Sequence, residues 1–313
     1  MKYFIVSLIL AITFFSCSKE KRLDNAAEKM QEFVISISNY ARSFDPDFII
    51  IPQNGIELAF NNIDPNDGQN SAYMAAIDGF GVEELFYNGT FSLDEERLAM
   101  LQQLKVSKKI MVSEYVTESS NIPDALNRNY SEGFICFART SSNYHYLQIP
   151  DSVLYSNTAD INSLSDAQNY LYLISTDSYS SKQAMIDAIA STNFDVVLID
   201  LFFNETEFTA SEINQLKTKA NGGKRLVISY ISIGSAEKYR YYWKKCWGLH
   251  HPLWLRKKYD GYEDEFWVKF WKKEWQDIIY GNDNSYMKKI LNAGFDGAYL
   301  DNVEAYYFLY YKD

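Results

Sequence analysis

The sequence is poor in residues that bind transition metals, with three cysteines and three histidines among 313 residues. None of them has the spacing of a zinc site, and His250-His251-Pro252 is typical of a loop. No glycine-rich phosphate loop follows the first predicted strand, and residues 233–236 (IGSA) resemble one only weakly. We therefore predict neither a metal nor any other cofactor.

Positive charge is also scarce, since 30 Lys and Arg face 41 Asp and Glu for a net charge of −11. Nucleic-acid phosphates need a basic surface, so the composition predicts no nucleic-acid partner. A cationic ligand would suit the charge better, although solubility alone would also account for it. The 25 tyrosines could in part stack on sugar faces while their hydroxyls bond sugar hydroxyls.

A long apolar run occurs only at the start of the chain, where residues 1–16 read MKYFIVSLILAITFFS before Cys17. The run is short for a bilayer span, and its layout predicts a signal peptide over residues 1–17. A cysteine at the cleavage point resembles the lipobox of bacterial lipoproteins, which predicts export and a lipid anchor at Cys17 as the only membrane contact. An ordinary signal peptide with an incidental cysteine is the alternative. The folded domain then spans 18–313, with Cys136 and Cys246 predicted as buried thiols.

Beyond this segment, apolar strands alternate with amphipathic helices, as in a parallel α/β protein. Helices are predicted at 24–43, 69–77, 93–105, 121–130, 181–191, 209–220 and 284–293. Strands are predicted at 48–55, 79–86, 109–116, 133–137, 170–175, 196–200, 226–233 and 297–301. Eight such units are what a closed parallel barrel needs, so we predict a single (β/α)8 TIM-type barrel.

Two segments interrupt the alternation. Residues 140–165 are polar and aperiodic, which predicts a long surface connection between two halves of one domain. The segment 240–280 is rich in Trp and Lys, and Trp267, Trp271 and Trp275 recur every four residues. This spacing favours one face of a helix packed on the barrel over a sugar-stacking platform.

Acids and amides stand at the ends of several predicted strands, and a closed barrel would bring them to one face. The candidates are Gln53, Asn54, Glu83, Glu84, Glu114, Tyr115, Asp200, Tyr230, Asp301 and Asn302. A pocket of carboxylates and aromatic rings fits glycoside hydrolysis. In that reaction one acid protonates the departing oxygen and a second carboxylate acts as nucleophile or base.

Three segments together carry a resemblance to a known family: DVVLIDLF (195–202), RLVISYISIGSAEKYRYYW (225–243) and GFDGAYLDNVEAYYF (294–308). They resemble the endo-alpha-1,4-polygalactosaminidase family, glycoside hydrolase family 114. Its members show a strand ending in Asp, a tyrosine-bearing strand before Gly-x-x-Glu-x-x-Arg, tryptophans, and Gly-Phe-Asp-Gly before a final Asp. The matching positions are Asp200, Tyr230, Gly234, Glu237, Arg240, Trp243 and Asp301.

The family's remaining strands, with an amide-glycine end and a second acid, resemble residues 45–55 and 77–87, which here come first. The sequence therefore resembles a circularly permuted member of the family. The resemblance implies a catalytic pair of Asp301 and Glu83. It leaves open which acid attacks and which protonates, and our hypothesis takes Asp301 as nucleophile and Glu83 as acid and base. Glu84, one residue further along a regular strand, is expected to face away.

The resemblance also implies a substrate, an alpha-linked galactosamine-type polysaccharide or oligosaccharide that is partly cationic when deacetylated. The candidates for binding it are Asp200, Tyr230, Glu237, Arg240, Gln53, Asn54, Tyr115 and Asn302. Asp296 is predicted to support the turn into its strand. The alternative is a lipoprotein barrel of the cell envelope that binds glycans without cleaving them.

Overall fold

The fold follows from a computed structural model that describes residues 23–142 and 144–310. Its helices are α1 (23–42), α2 (Ser71–Ala76), α3 (Glu95–Leu104), α4 (Ile122–Ser131), α5 (Lys182–Ala190), α6 (Ala210–Leu216), α7 (Lys273–Ile279), α8 (Tyr286–Ala293) and α9 (Ala305–Phe308). Its strands are β1 (Ile49–Pro52), β2 (Gly79–Phe91), β3 (Lys109–Val116), β4 (Ile135–Arg139), β5 (Tyr170–Tyr172), β6 (Val196–Asp200), β7 (Phe202–Phe203), β8 (Thr206–Glu207), β9 (Leu226–Ser232), β10 (Ser235–Glu237), β11 (Leu255–Tyr259), β12 (Tyr262–Val268) and β13 (Gly297–Asp301).

The predicted strands form two parallel sheets. One has the order β1-β13-β9-β6-β5 and the other the order β2-β3-β4. The sheets meet where Gln53 bridges Gly81 and the Asn54 N–H donates to the Gly81 carbonyl at 2.8 Å. At the opposite edges, β4 and β5 approach through rings, with Phe137 and Tyr170 centroids 6.1 Å apart. The coarse prediction of a parallel α/β fold is confirmed.

Strands β6 and β9 are buried along their whole length because helices cover one face and packed side chains cover the other. All five residues of β6 and all seven of β9 are buried. The register pairs Asp200 with Tyr230, and Asp301 with Ser232. The carboxyl ends of these strands therefore lie at one edge, where their last side chains can converge.

The Trp-rich segment supplies β11 and β12 of an antiparallel sheet, β10-β12-β11, that the periodicity did not predict. Trp267 lies in β12 and Trp271 in the turn after it, whereas Trp275 lies in α7, so the prediction of one helix face is wrong. The interpretation as core is confirmed for Trp267 and Trp275, which are buried. The Trp275 indole N–H donates to the Ile233 carbonyl at 2.8 Å, which ties α7 to the end of β9.

The cysteines differ in environment. Cys136 is buried in β4 as predicted, but Cys246 is exposed because residues 244–251 form turns and not an apolar helix. Cys17 and the predicted signal peptide lie outside the described residues. Within 23–142 and 144–310, no helix combines the length and the apolar character that a bilayer crossing requires.

Candidate active site

A cavity of about 950 Å³ opens at the carboxyl ends of the parallel strands. This volume lies at the upper end of the range typical of small-molecule sites. Of the ten residues predicted for catalysis or substrate binding, nine line it: Gln53, Asn54, Glu83, Asp200, Tyr230, Glu237, Arg240, Asp301 and Asn302. The tenth, Tyr115, is not among the lining residues of the described chain.

Asp301 ends β13 and is half-buried in the cavity wall. The Tyr230 hydroxyl donates to Oδ2 at 2.5 Å, and the Asn302 backbone N–H donates to Oδ1 at 2.7 Å. Asn302 adopts φ 62, a left-handed conformation that asparagine tolerates, which turns its N–H back toward the preceding side chain. Burial, reinforced by the negative charge of Glu83, raises the pKa of Asp301 to about 7, while the Tyr230 hydrogen bond opposes the rise.

Glu83 lies in β2 on the opposite side of β1. Its Oε1 accepts from the Tyr146 hydroxyl at 2.6 Å, and its Oε2 accepts from Asn54 Nδ2 at 3.3 Å. Asn54 Oδ1 in turn accepts from the Glu83 backbone N–H at 3.1 Å. Burial raises the pKa of Glu83, and the Tyr146 hydrogen bond and the Arg139 charge pull it back. Both carboxyls therefore bind a proton more readily than a solvated acid does.

The strand register sets how far apart the two acids stand. Leu300 pairs with Pro52, and Gln53 bridges Gly81, so β13 and β2 flank β1. Adjacent strands are about 4.8 Å apart, which puts the backbones that carry Asp301 and Glu83 about 10 Å from each other. Side chains pointing inward from these backbones can act on one bond from two sides.

A second acidic group lies beside this pair. The Arg240 guanidinium makes two bonds to Asp200, at 2.9 and 2.7 Å, and a third from Nε to Glu237 Oε2 at 2.6 Å. The Tyr239 hydroxyl also donates to Glu237. Because Arg240 is buried and its positive charge is shared by two carboxylates, it leaves the cavity with a negative balance.

The expectation that Glu84 faces away is wrong, because β2 does not stay regular. Glu84 has φ 57, and the pairing of β2 with β3 shifts register between Glu83 and Asn88. This bulge lets Glu84 line the cavity as well. Its carboxylate forms an ion pair with Arg139 at 2.6 Å.

The bulge also explains the role of Glu114. Glu114 is fully buried outside the cavity, and its carboxylate accepts the backbone N–H groups of Phe86 and Tyr87, both at 3.0 Å. It thus satisfies donors that the bulge removes from the sheet ladder. Tyr115 lies beside this bulge with the Arg139 guanidinium 5.7 Å from its ring.

Several cavity residues were not singled out from the sequence, among them two tyrosines and two acids. Tyr146 comes from the aperiodic connection, Glu265 from β12, Glu304 from the turn after β13, and Tyr172 from β5. Burial raises the pKa of Glu265 and of Glu304 to about 8 in each case, with the charges of Glu237 and of Glu83 respectively as the next causes. Tyr172 is the last residue of β5 and could have been found from its place at a strand end. No local sequence pattern marks Tyr146, Glu265 or Glu304.

The fold and the site define a class of protein. Two carboxyls with raised pKa values face one cavity at the carboxyl edge of parallel strands, as in hydrolases that use an acid and a nucleophile or base. Residues 155–313, just over half of the chain, match the model of glycoside-hydrolase family GH114. The chain belongs to this family.

Three curated relatives, each named only as an uncharacterized protein, match shorter stretches. One from Methanocaldococcus jannaschii is 40% identical over 131 residues, which cover 41% of this chain and 36% of the relative. One from Thermotoga maritima is 30% identical over 118 residues, 38% and 35% of the two chains. One from Deinococcus radiodurans is 33% identical over 125 residues, 40% and 38%. The matches span little more than a third of each relative.

Proposed function

We propose that this protein is a glycoside hydrolase that cleaves an alpha-linked galactosamine-type polysaccharide, with Asp301 as nucleophile and Glu83 as general acid and base. One observation carries the proposal: both carboxyls line the same cavity from strands on either side of β1, and each is held by a tyrosine hydroxyl and an asparagine. Held carboxyls of this kind keep the orientation that a two-carboxylate mechanism needs.

The reaction would proceed in two steps. Glu83 protonates the glycosidic oxygen while Asp301 attacks the anomeric carbon, so that the glycosidic bond breaks and a covalent glycosyl ester forms on Asp301. Glu83, now ionised, then removes a proton from a water that attacks the same carbon and releases the sugar. This route retains the anomeric configuration. The first step requires that Glu83 is protonated and Asp301 is ionised, so the pair must carry one proton. The raised pKa values of both acids favour this state.

The charge of the cavity supports an amino-sugar substrate. Ten acids lie in its wall, against two arginines, Arg97 and Arg240: Glu83, Glu84, Asp177, Asp200, Glu237, Glu263, Asp264, Glu265, Asp301 and Glu304. Arg240 is already paired with two of these acids. The balance stays negative at neutral pH even though Glu265 and Glu304, with pKa values of about 8, are then mostly protonated. An ammonium group on a deacetylated sugar would be attracted into such a cleft.

We further propose that the two sheets act as one closed (β/α)8 barrel and that the chain is a circular permutation of the family order. The family match begins at residue 155, after the first four strands, and Glu83 lies before it. Both ends of the described chain approach Trp271: Lys29 Nζ lies 5.2 Å from its ring, and the Tyr310 ring stacks on it at 6.0 Å. Neighbouring ends make such a rearrangement physically tolerable.

We also propose that the protein is exported and anchored in the bacterial cell envelope by a lipid on Cys17. This part of the proposal rests on the sequence pattern alone. Metabolic labelling with a fatty acid tests it. Label should appear in the membrane fraction of the unaltered protein and be lost from a Cys17→Ser variant.

Hydrolysis is tested with partially deacetylated alpha-1,4-galactosamine oligomers, with product masses and anomeric proton signals followed over time. The unaltered protein should release shorter oligomers, whereas Asp301→Asn and Glu83→Gln should lower kcat by at least about 1,000-fold while the folded state persists. Glu118→Gln, an exposed acid outside the cavity, is the matched control. Full activity in both site variants contradicts the proposal. Tight oligomer binding with no product indicates the glycan-binding alternative.

A further inference from the structure

The long connection between β4 and β5 reaches into the cavity at residues 144–146. Tyr144 and Tyr146 have φ values of 55 and 45, in the left-handed region that residues other than glycine rarely adopt. Strained backbone of this kind persists only where surrounding contacts enforce it, and it concentrates at functional sites. The contacts of Tyr146 identify what enforces it here.

Tyr146 is 4% exposed and is held on its ring and on its hydroxyl. Its ring stacks on Tyr172 with centroids 3.7 Å apart and planes 11° apart. Its hydroxyl donates to Glu83 Oε1 at 2.6 Å and accepts from Ser113 Oγ at 2.9 Å. The hydroxyl proton is therefore directed at the carboxylate, because the serine already occupies the acceptor side of the oxygen.

Arg139, the last residue of β4, supports this arrangement from the strand ends. Its guanidinium lies 4.4 Å from the Tyr144 ring and 5.0 Å from the Tyr146 ring, distances typical of cation–π contacts. Its Nη1 donates to Ser113 Oγ at 3.2 Å. Residues from β3, β4 and β5 thus converge on one tyrosine of the connection.

The position of Tyr146 also matters for the two sheets. Tyr172 belongs to β5 of the larger sheet, and Glu83 belongs to β2 of the smaller one. In the part of the chain that the structure describes, no strand pairing joins β4 to β5. Tyr146 contacts residues of both sheets, so a residue outside them adds to the bridge between Gln53 and Gly81 in joining the two sheets.

We propose that Tyr146 is the positioning residue for Glu83, and that the connection between the sheets thereby completes the active site. The inference rests on the proposed function for the catalytic role of Glu83, but the contact itself can be tested without any substrate. Because the hydroxyl favours the ionised carboxylate, its loss should raise the pKa of Glu83 and release one of the two oxygens that are now held.

The test is Tyr146→Phe, which keeps the ring and removes only the hydroxyl. Carbon-13 NMR of protein labelled at the glutamate side-chain carboxyl, with the Glu83 resonance assigned by its absence in Glu83→Gln, should show the Glu83 titration shifted upward by about one pH unit. Ser113→Ala, which removes the hydroxyl that donates to Tyr146, should give a smaller shift in the same direction. Tyr155→Phe, in the same connection but outside the cavity wall, should give none.

An unchanged Glu83 titration in Tyr146→Phe overturns the inference whatever the activity. With an active enzyme, the same variant should lower kcat about tenfold at unchanged KM and move the alkaline limb of the pH profile upward. A lower thermal midpoint with an unchanged Glu83 titration would indicate a merely structural role and also overturn it. If the unaltered protein cleaves no glycan but the titration shifts, the proposed function fails and the positioning contact stands.

Discussion

Replacing Tyr230 with phenylalanine should shift the pH dependence of this protein by an amount that its structure lets us work out. The hydroxyl donates to Asp301 Oδ2 at 2.5 Å, and both side chains lie in the cavity wall. A hydrogen bond to a charged group contributes about 1.5–3 kcal/mol. Since one pKa unit corresponds to about 1.4 kcal/mol, loss of the bond should raise the pKa of Asp301 by about 1–2 units.

The sign of the effect on activity follows from the proposed role of Asp301. The carboxyl must be ionised to attack, and its pKa is about 7 in the unaltered protein. Activity should therefore fall as pH drops below about 7, and in Tyr230→Phe this acidic limb should move to about pH 8–9. At pH 6 the variant should be about 10–100-fold less active than the unaltered protein, with a smaller difference in alkaline buffer.

The assay is kcat/KM for galactosamine oligomers between pH 4 and 10. Tyr299→Phe is the matched control, because its buried hydroxyl in the same strand as Asp301 has no hydrogen-bond partner among the described residues. Its acidic limb should stay in place. An unmoved acidic limb in Tyr230→Phe would refute the reasoning that this hydroxyl holds Asp301 in its ionised form.

The remaining predictions concern stability, measured by urea or thermal unfolding. Gly81→Ala should lower the free energy of unfolding by about 1–3 kcal/mol, because the added Cβ would lie 1.8 Å from the Tyr299 hydroxyl; an unchanged free energy of unfolding would contradict this. Lys219→Met should cost about 3 kcal/mol by leaving Asp195, its fully buried partner at 2.9 Å, without its counterion; a loss below about 1 kcal/mol would contradict this. Acids with raised pKa values hold protons in the folded state that the unfolded chain releases near pH 4. The free energy of unfolding should therefore fall as pH rises from about 4 to 8. Glu304→Gln should weaken that fall, because the pKa of Glu304 is raised to about 8. A thermal midpoint that rises over this range would oppose the expected fall.

Local sequence patterns were sufficient for the parallel strands. The bounds predicted for 109–116, 196–200 and 297–301 coincide with β3, β6 and β13. These runs are mostly apolar because both faces are covered, and polar or glycine residues mark where most of them stop. Asp296 also has its predicted structural role, since its carboxylate accepts from the Val227 N–H at 2.8 Å.

The Trp-rich segment shows where such patterns fail. A spacing of four residues suits a helix, yet Trp267 packs in a strand between the rings of Tyr259 and Phe308. What decides its conformation is the pairing of β12 with β10 and β11, whose partners lie up to about thirty residues away in the chain. A pattern confined to one segment does not contain that contact.

The sequence by itself determined the parallel α/β class and the acids at the strand ends, and through family resemblance it identified Asp301 and Glu83 as the candidate pair. These conclusions depend on hydrophobic runs and on short motifs, which are local properties of a chain. Only the tertiary structure decided that Glu84 enters the cavity, that Glu114 caps a bulge instead, and that Tyr146 holds Glu83. Each of these depends on a left-handed residue or on the path of a loop, which only the packing of distant segments can enforce.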